Sequence, residues 1–287
     1  MRELEGRVAV ITGAASGLGF AFAERFAQAG MKVVLADIEV GTLDAAVQRL
    51  RQQEYDVLGV QADVARSEAV EELAQKALDA YGKVHIVCNN AGVTTTNEAR
   101  QLTGLSSAPM WEVPLADWHW TFDINFFGVV HGIRTFVPIL LRQGEEGHIV
   151  NTASLAGLVV APGLPIYCAT KHAVVVVSEA LRGQLAQQQP PIGVSVLCPA
   201  SVFTRITSAT RNREGQHEPE AELERRDQLW ASRNSARGLA PEAVADAVFA
   251  GVQAEQFYIL PHDVLPDHQE NERIRARMEN ILARRSP

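Results

Sequence analysis

The stretch VAVITGAASGLGFAFAERF, residues 8–26, runs from an apolar segment of strand length through a glycine-rich turn into a helical period. Phe20, Ala23, Phe26 and Ala27 share one face of the segment 17–29, with polar residues between them, which predicts an amphipathic helix. Gly13, Gly17 and Gly19 sit at the junction in a G-x-x-x-G-x-G spacing. Glycines there allow a tight turn and a close backbone approach by a pyrophosphate, which the helix N-terminus attracts. Close packing of helix on strand would ask for the same glycines. Their place after a strand and before a helix favours the first reading, and makes Gly13, Ser16, Gly17, Leu18 and Gly19 candidate dinucleotide contacts.

The alternation continues. Strand-like runs at 7–11, 32–36, 56–61, 84–88, 148–152 and 193–198 are interleaved with helical segments at 42–53, 67–81, 118–142 and 166–188. Apolar strands separated by helices imply a parallel sheet covered on both faces. Right-handed crossovers then give an α/β architecture over residues 1–287: a single-domain, Rossmann-type, doubly wound parallel sheet. Two connections are long. Residues 93–117 form an extended loop rich in turn formers, and 203–240 a polar segment. Within the latter, 218–237 reads equally as a helical substrate lid or as a solvated surface helix. A helix (242–254), a short strand (256–260) and an Arg/Glu-rich tail helix close the chain.

Composition narrows the function. A formal charge of −8 over 287 residues argues against a nucleic-acid partner, which would want clustered Lys and Arg. The most apolar long window, 157–181, is interrupted by Lys171 and Glu179 and is a poor bilayer span, so no membrane partner is expected. Three widely spaced cysteines, Cys88, Cys168 and Cys198, suggest neither a disulfide framework nor a metal site. Buried thiols in a cytoplasmic protein are the expectation.

The second strand ends at Asp37, about where an acidic residue meets an adenosine ribose. A carboxylate there would bond both hydroxyls and repel a 2′-phosphate. No Arg or Lys adjoins it in sequence, so NAD is expected rather than NADP. A plain strand-end role for Asp37 is the alternative. Asp63 and Val64, after the third strand, offer a side chain and an amide near the adenine, and Asp63 also suits the cap of the helix starting near Ser67. In NNAG, 89–92, Asn90 can tie backbone segments together and Gly92 lets the chain pass a cofactor closely; an ordinary turn would look the same.

Ser154 follows the fifth strand, and Tyr167 and Lys171 lie four apart on the next helix. Residues at i and i+4 share a face, and a cation beside a phenol lowers its pKa from about 10. Such a pair suits general acid–base work. In their order, Thr12-Gly13-x-x-x-Gly17-x-Gly19, Asn89-Asn90-Ala91-Gly92, Ser154, Tyr167-x-x-x-Lys171 and Pro199 resemble the short-chain dehydrogenase/reductase family, over roughly residues 5–205. The resemblance implies proton exchange between Tyr167 and a substrate oxygen while hydride passes to or from NAD. It implies that Lys171 holds the nicotinamide ribose and that Ser154 bonds the substrate oxygen. Asn125 matches the asparagine supporting a water-linked relay to the lysine; satisfying local backbone is its other reading. Pro199 is followed by Ala200 where the family usually has glycine, so a positive φ there would strain the loop. Val202 and Thr204 fit positions contacting the carboxamide and the phosphates.

The expected substrate contacts are Thr94, Ser154, Leu155, Ala156, Leu164, Tyr167 and Phe203, which are small or apolar and include no arginine fork. They suit a hydrophobic small-molecule alcohol or ketone, cyclic or aromatic. Met110, Trp111, Trp118 and Trp120 either roof the pocket or pack the long loop. Cys168, His172 and His148 read as packing residues. The successive valines 174–177 suggest a helix buried on two sides, by the sheet and by another subunit. The family resemblance implies a homodimer or homotetramer; an inner helix of a monomer is the competing reading. A non-catalytic dinucleotide-binding regulator is the alternative function, and a sugar-nucleotide epimerase a third.

Overall fold

Seven short runs dominated by apolar residues pair side by side, all parallel, in the order β3-β2-β1-β4-β5-β6-β7. They are β1 (Val8–Thr12), β2 (Lys32–Asp37), β3 (Val57–Gln61), β4 (Ile86–Asn89), β5 (Gly147–Thr152), β6 (Ile192–Leu197) and β7 (Tyr258–Ile259). This computed structural model describes residues 1, 3–215, 218–236, 238–264 and 269–283. Parallel strands need crossovers, and helices supply them on both faces. One face is covered by α1 (Gly17–Gln28), α2 (Val40–Arg51) and α9 (Pro241–Gln253), packed through Phe22, Phe26, Leu43 and Val248. The other carries α3 (Ser67–Tyr81), α6 (Gly128–Gln143) and α7 (Pro165–Gln188), packed through Leu73, Phe136, Leu140 and Val174. The expected doubly wound fold is present. Strand order reverses between β1 and β4, so the connections leaving them run to opposite sides and leave a crevice at their carboxyl ends.

Two elements depart from expectation, and the polar segment after β6 carries the helix expected of it. The predicted helix 118–142 begins earlier, as α5 (Leu115–Phe122), and passes through a π-helical turn, Asp123–Phe127, before α6. By length and apolarity 115–143 could cross a membrane, yet Val129, Phe136 and Leu140 are buried against the sheet, as in a core helix. The loop 93–117 contains α4 (Thr96–Leu102), started by Thr95, whose Oγ1 accepts from the Glu98 amide at 3.2 Å. The polar segment after β6 holds a 3₁₀ stretch, Ile206–Asn212, and α8 (Glu220–Arg233). The tail forms α10 (Gln269–Leu282).

Two buried polar links brace the sheet, one of them reaching a helix. Asn89 Nδ2 donates to Asn151 Oδ1 at 2.9 Å, and Asn151 Nδ2 donates to Ser178 Oγ at 3.0 Å, joining β4, β5 and α7. His148 Nε2 lies 2.8 Å from Ser195 Oγ, and burial pushes that imidazole down to about 3, which fits the packing role expected of it. All three cysteines are buried and free.

Candidate active site

The β1–α1 turn is built for close approach. Gly13 and Gly17 take φ of +66° and +55°, a region that side chains disfavour. At Gly19 a Cβ would stand 2.1 Å from the Gly13 carbonyl oxygen, so only glycine lets the helix start so close to the turn. Thr12 Oγ1 accepts from the amides of Asn90 and Ala91 at 2.9 and 3.1 Å, and Asn90 Nδ2 donates to Thr12 O at 3.0 Å. These bonds pin the β4 exit beside the glycine turn. The expected tie made by Asn90 is present.

Asp37 ends β2 with its carboxylate accepting from the Ala15 amide at 2.9 Å and the Glu39 amide at 3.0 Å. Burial raises its pKa, and the same amides oppose the rise. Asp63 Oδ1 accepts from the Ala65 amide at 3.0 Å, which fixes the turn leading to α3. A cleft of ≈ 530 Å³ runs from Asp37 over the glycine turn to Tyr167. It is lined by every expected cofactor residue: Gly13, Ser16, Gly17, Leu18 and Gly19; Asp37, Asp63 and Val64; Asn90 and Gly92; Tyr167 and Lys171; Pro199, Val202 and Thr204. The glycine cradle and the carboxylate at the far end fit a dinucleotide.

At the other end, Ser154 Oγ accepts from the Ala156 amide at 3.1 Å, and a hydrogen bond from Ser154 draws the Tyr167 phenol downward in pKa. Lys171 Nζ lies 5.5 Å from the Tyr167 ring centre and donates to Thr152 O at 2.8 Å. Spacing predicts that Lys171 lowers the phenol. In the structure burial dominates both groups: Tyr167 is pushed up to about 12 and Lys171 down to about 8. Asn125 is fully buried; its Oδ1 accepts from the Val93 amide at 2.7 Å, and its Nδ2 donates to Val93 O and to Thr170 Oγ1. It therefore ties the β4 exit to α7. A Cβ on Gly92 would lie 3.4 Å from both Asn125 Oδ1 and Lys171 Nζ. Ala200 avoids positive φ, so the missing glycine after Pro199 costs no backbone strain.

Thr94, Leu155, Ala156 and Leu164 line the cleft as expected, although the Thr94 hydroxyl donates to Ile206 O at 2.8 Å. Phe203 does not. Val202 bridges Leu239 in extended pairing, so successive side chains point oppositely; Val202 faces the cleft and Phe203 packs on Gly238. Of the four aromatic-loop candidates, Trp120 alone lines the cleft, while Met110 and Trp111 are exposed. Cys168 hydrogen-bonds Ala161, and His172 contacts Arg277 of α10.

Beyond Thr204, sequence reading missed the residues supplied by the segment after β6. Arg211 Nη2 lies 2.7 Å from Glu39 Oε1, and Asn212 Nδ2 donates to the same oxygen at 2.6 Å. The fold thus brings an arginine to the adenosine end, contrary to expectation, and Glu39 holds it. No local signal could announce a bond between residues 173 apart. Glu218 accepts from Thr96 and Thr210 and pairs with Arg226 at 2.9 Å, fastening the segment to α4. Glu98 was missed too, though Thr95-x-x-Glu98 has the spacing of a capping box.

The sheet order, the glycine turn and the Ser154–Tyr167–Lys171 cluster define an oxidoreductase of the dinucleotide-binding class. Residues 7–215 match the short chain dehydrogenase family, to which this chain belongs. It is 42% identical to 1-deoxy-11-beta-hydroxypentalenate dehydrogenase of Streptomyces avermitilis over 90% of this chain and 85% of that one. It is 31% identical to the C alpha-dehydrogenase of Sphingobium sp., covering 99% and 94% of the two chains. A short chain dehydrogenase/reductase from Burkholderia phymatum, solved in complex with NAD, superposes with a TM-score of 0.87 at 41% identity, over 100% of this chain and 98% of that one.

Proposed function

We propose that the protein oxidises a hydrophobic secondary alcohol, or reduces the matching ketone, with NAD(H). The observation that carries this reading is one continuous cleft with Asp37 at one end and Ser154, Tyr167 and Lys171 at the other. Bound NAD supplies the hydride acceptor. Ser154 orients the substrate oxygen, and Tyr167 takes its proton as the C–H bond gives up hydride. Lys171, held by Thr152 O, contributes positive charge beside the phenol and a donor for the nicotinamide ribose. Leu102, Ile124, Val159, Leu164 and Ile206 give the catalytic end apolar walls, which suits a hydrocarbon frame. A relative named for a hydroxypentalenate and another named for a Cα position support a hydroxyl on a bulky carbon skeleton. Asp37 supports NAD over NADP. We also assign the segment 203–240 the role of a lid, and exposed Val176 of α7, 60% accessible, a place in a subunit contact.

A panel of cyclic and aryl secondary alcohols, followed by nicotinamide absorbance with NAD and separately with NADP, tests the reading. Turnover is expected with NAD, and Tyr167→Phe should lower it about 100-fold or more. Undiminished turnover in Tyr167→Phe would overturn the mechanism. Tight NAD binding with no turnover of any alcohol would favour the non-catalytic regulator.

A further inference from the structure

Glu98 is fully buried on α4, within the long connection after β4. Its Oε1 accepts from the Tyr167 backbone amide at 2.9 Å, in the first turn of α7, where helix amides lack partners of their own. Its Oε2 is buried without a hydrogen-bond partner among the described residues. A carboxyl placed so has no need of the position for folding alone, since an uncharged cap would avoid the cost of burying charge. Among the charged groups on elements packed around α4 is the ion pair of Arg226 on α8 with Glu218 just before that helix. Asp117 of α5 repels its charge, and Asp117 is itself held by Arg213. On α7, Glu98 acts on the Tyr167 phenol and the Cys168 thiol, raising both. Burial pushes Glu98 up to about 7, against the amides of Tyr167, Ile166 and Thr95. It therefore changes charge near neutral pH.

We propose that Glu98 is a positioning residue for proton transfer: through the Tyr167 amide it fixes the first turn of α7, and its charge acts directly on the Tyr167 proton. This rests on Tyr167 being the general acid–base. When Glu98 is ionised the phenol holds its proton more firmly and is the weaker acid; when Glu98 is protonated the phenol ionises more readily, as removal of the alcohol proton requires. The loop after β4 thus sets how readily the Tyr167 phenol gives up its proton.

The test reads the phenol itself, in the full chain with NAD added. Tyrosines carrying ¹³C at Cζ report each ring's ionisation, and Tyr167→Phe identifies the Tyr167 signal among the four tyrosines. In the wild type that signal should shift in a step near pH 7 as Glu98 titrates. In Glu98→Gln the step should vanish and the Tyr167 midpoint fall by about one pH unit, the size expected when one nearby like charge is removed. The kcat of alcohol oxidation, where a panel substrate is found, should follow the same displacement. No step in the wild type, or an unmoved midpoint in a folded Glu98→Gln protein, would overturn the proposal. Should that variant fail to fold, the wild-type step decides alone. Retained turnover in Tyr167→Phe would instead strike the function reading, leaving the resonance measurement to stand by itself.

Discussion

Lys171 holds a charge almost wholly out of water, at the wall of the cleft. Among the described residues it donates to the Thr152 carbonyl. Burial lowers its pKa from 10.5 to about 8. Between pH 8 and 10.5 the unfolded chain therefore binds more protons than the folded one, and stability rises with pH across that window. Below pH 8 the cost of the buried ammonium is fully present. Lys171→Met should stabilise the fold at pH 7 by about 1–3 kcal/mol, with the gain shrinking by pH 10, while turnover is lost. Thermal melts at both values check it; a variant less stable at pH 7 would refute the sign. The chemistry proposed for this residue would thus come at the expense of stability.

At the scale of elements, the segment after β6 and the loop after β4 do most to shape the cleft, and they were the least legible in sequence. The β1–α1 turn could be read because glycine spacing, strand and helix are all local. The π turn at Asp123–Phe127 could not, because its extra residue per turn serves a bond between Asn125 and Val93, 32 residues away. A helical period sees only its own face. The loop 93–117 was read from its turn formers, and the Thr95–Glu98 start signal went unused. Arg211 met Glu39 only after folding. Their ion pair has both side chains about one-fifth exposed, at 19% and 17%, so its loss should be felt. Glu39→Gln should weaken NAD binding about tenfold, in keeping with about 1–2 kcal/mol for a half-buried charged hydrogen bond. It should also free Arg211 toward a 2′-phosphate and narrow the preference over NADP. Titration of NADH and NADPH by fluorescence reads both effects; unchanged affinity for either would set the pair aside as surface decoration.

For the whole molecule, sheet and catalytic helix are held in register by polar contacts as well as by their apolar faces. The sheet was the part most fully written in the sequence, since apolar runs of five or six residues have few other uses. Asn151 and Ser178 were not singled out, and Asn89 was named only within its motif, because each is an ordinary polar residue until β4, β5 and α7 come together. Asn151→Ala leaves buried groups on both neighbours without their partner and should cost about 2–4 kcal/mol in urea unfolding. A loss under about 0.5 kcal/mol would mean that the strands hold α7 without this link.

The segment 203–240 is moored at two distant places, to Glu39 beyond β2 and to Thr94 and Thr96 beyond β4. Between those moorings it borders both the adenosine end and the substrate end of a single cleft. Acting as the lid proposed for it, a strap so fixed would not lift for one occupant without easing its grip on the other. Arrival and departure of the two ligands should then follow a fixed order, which rapid-mixing kinetics would reveal.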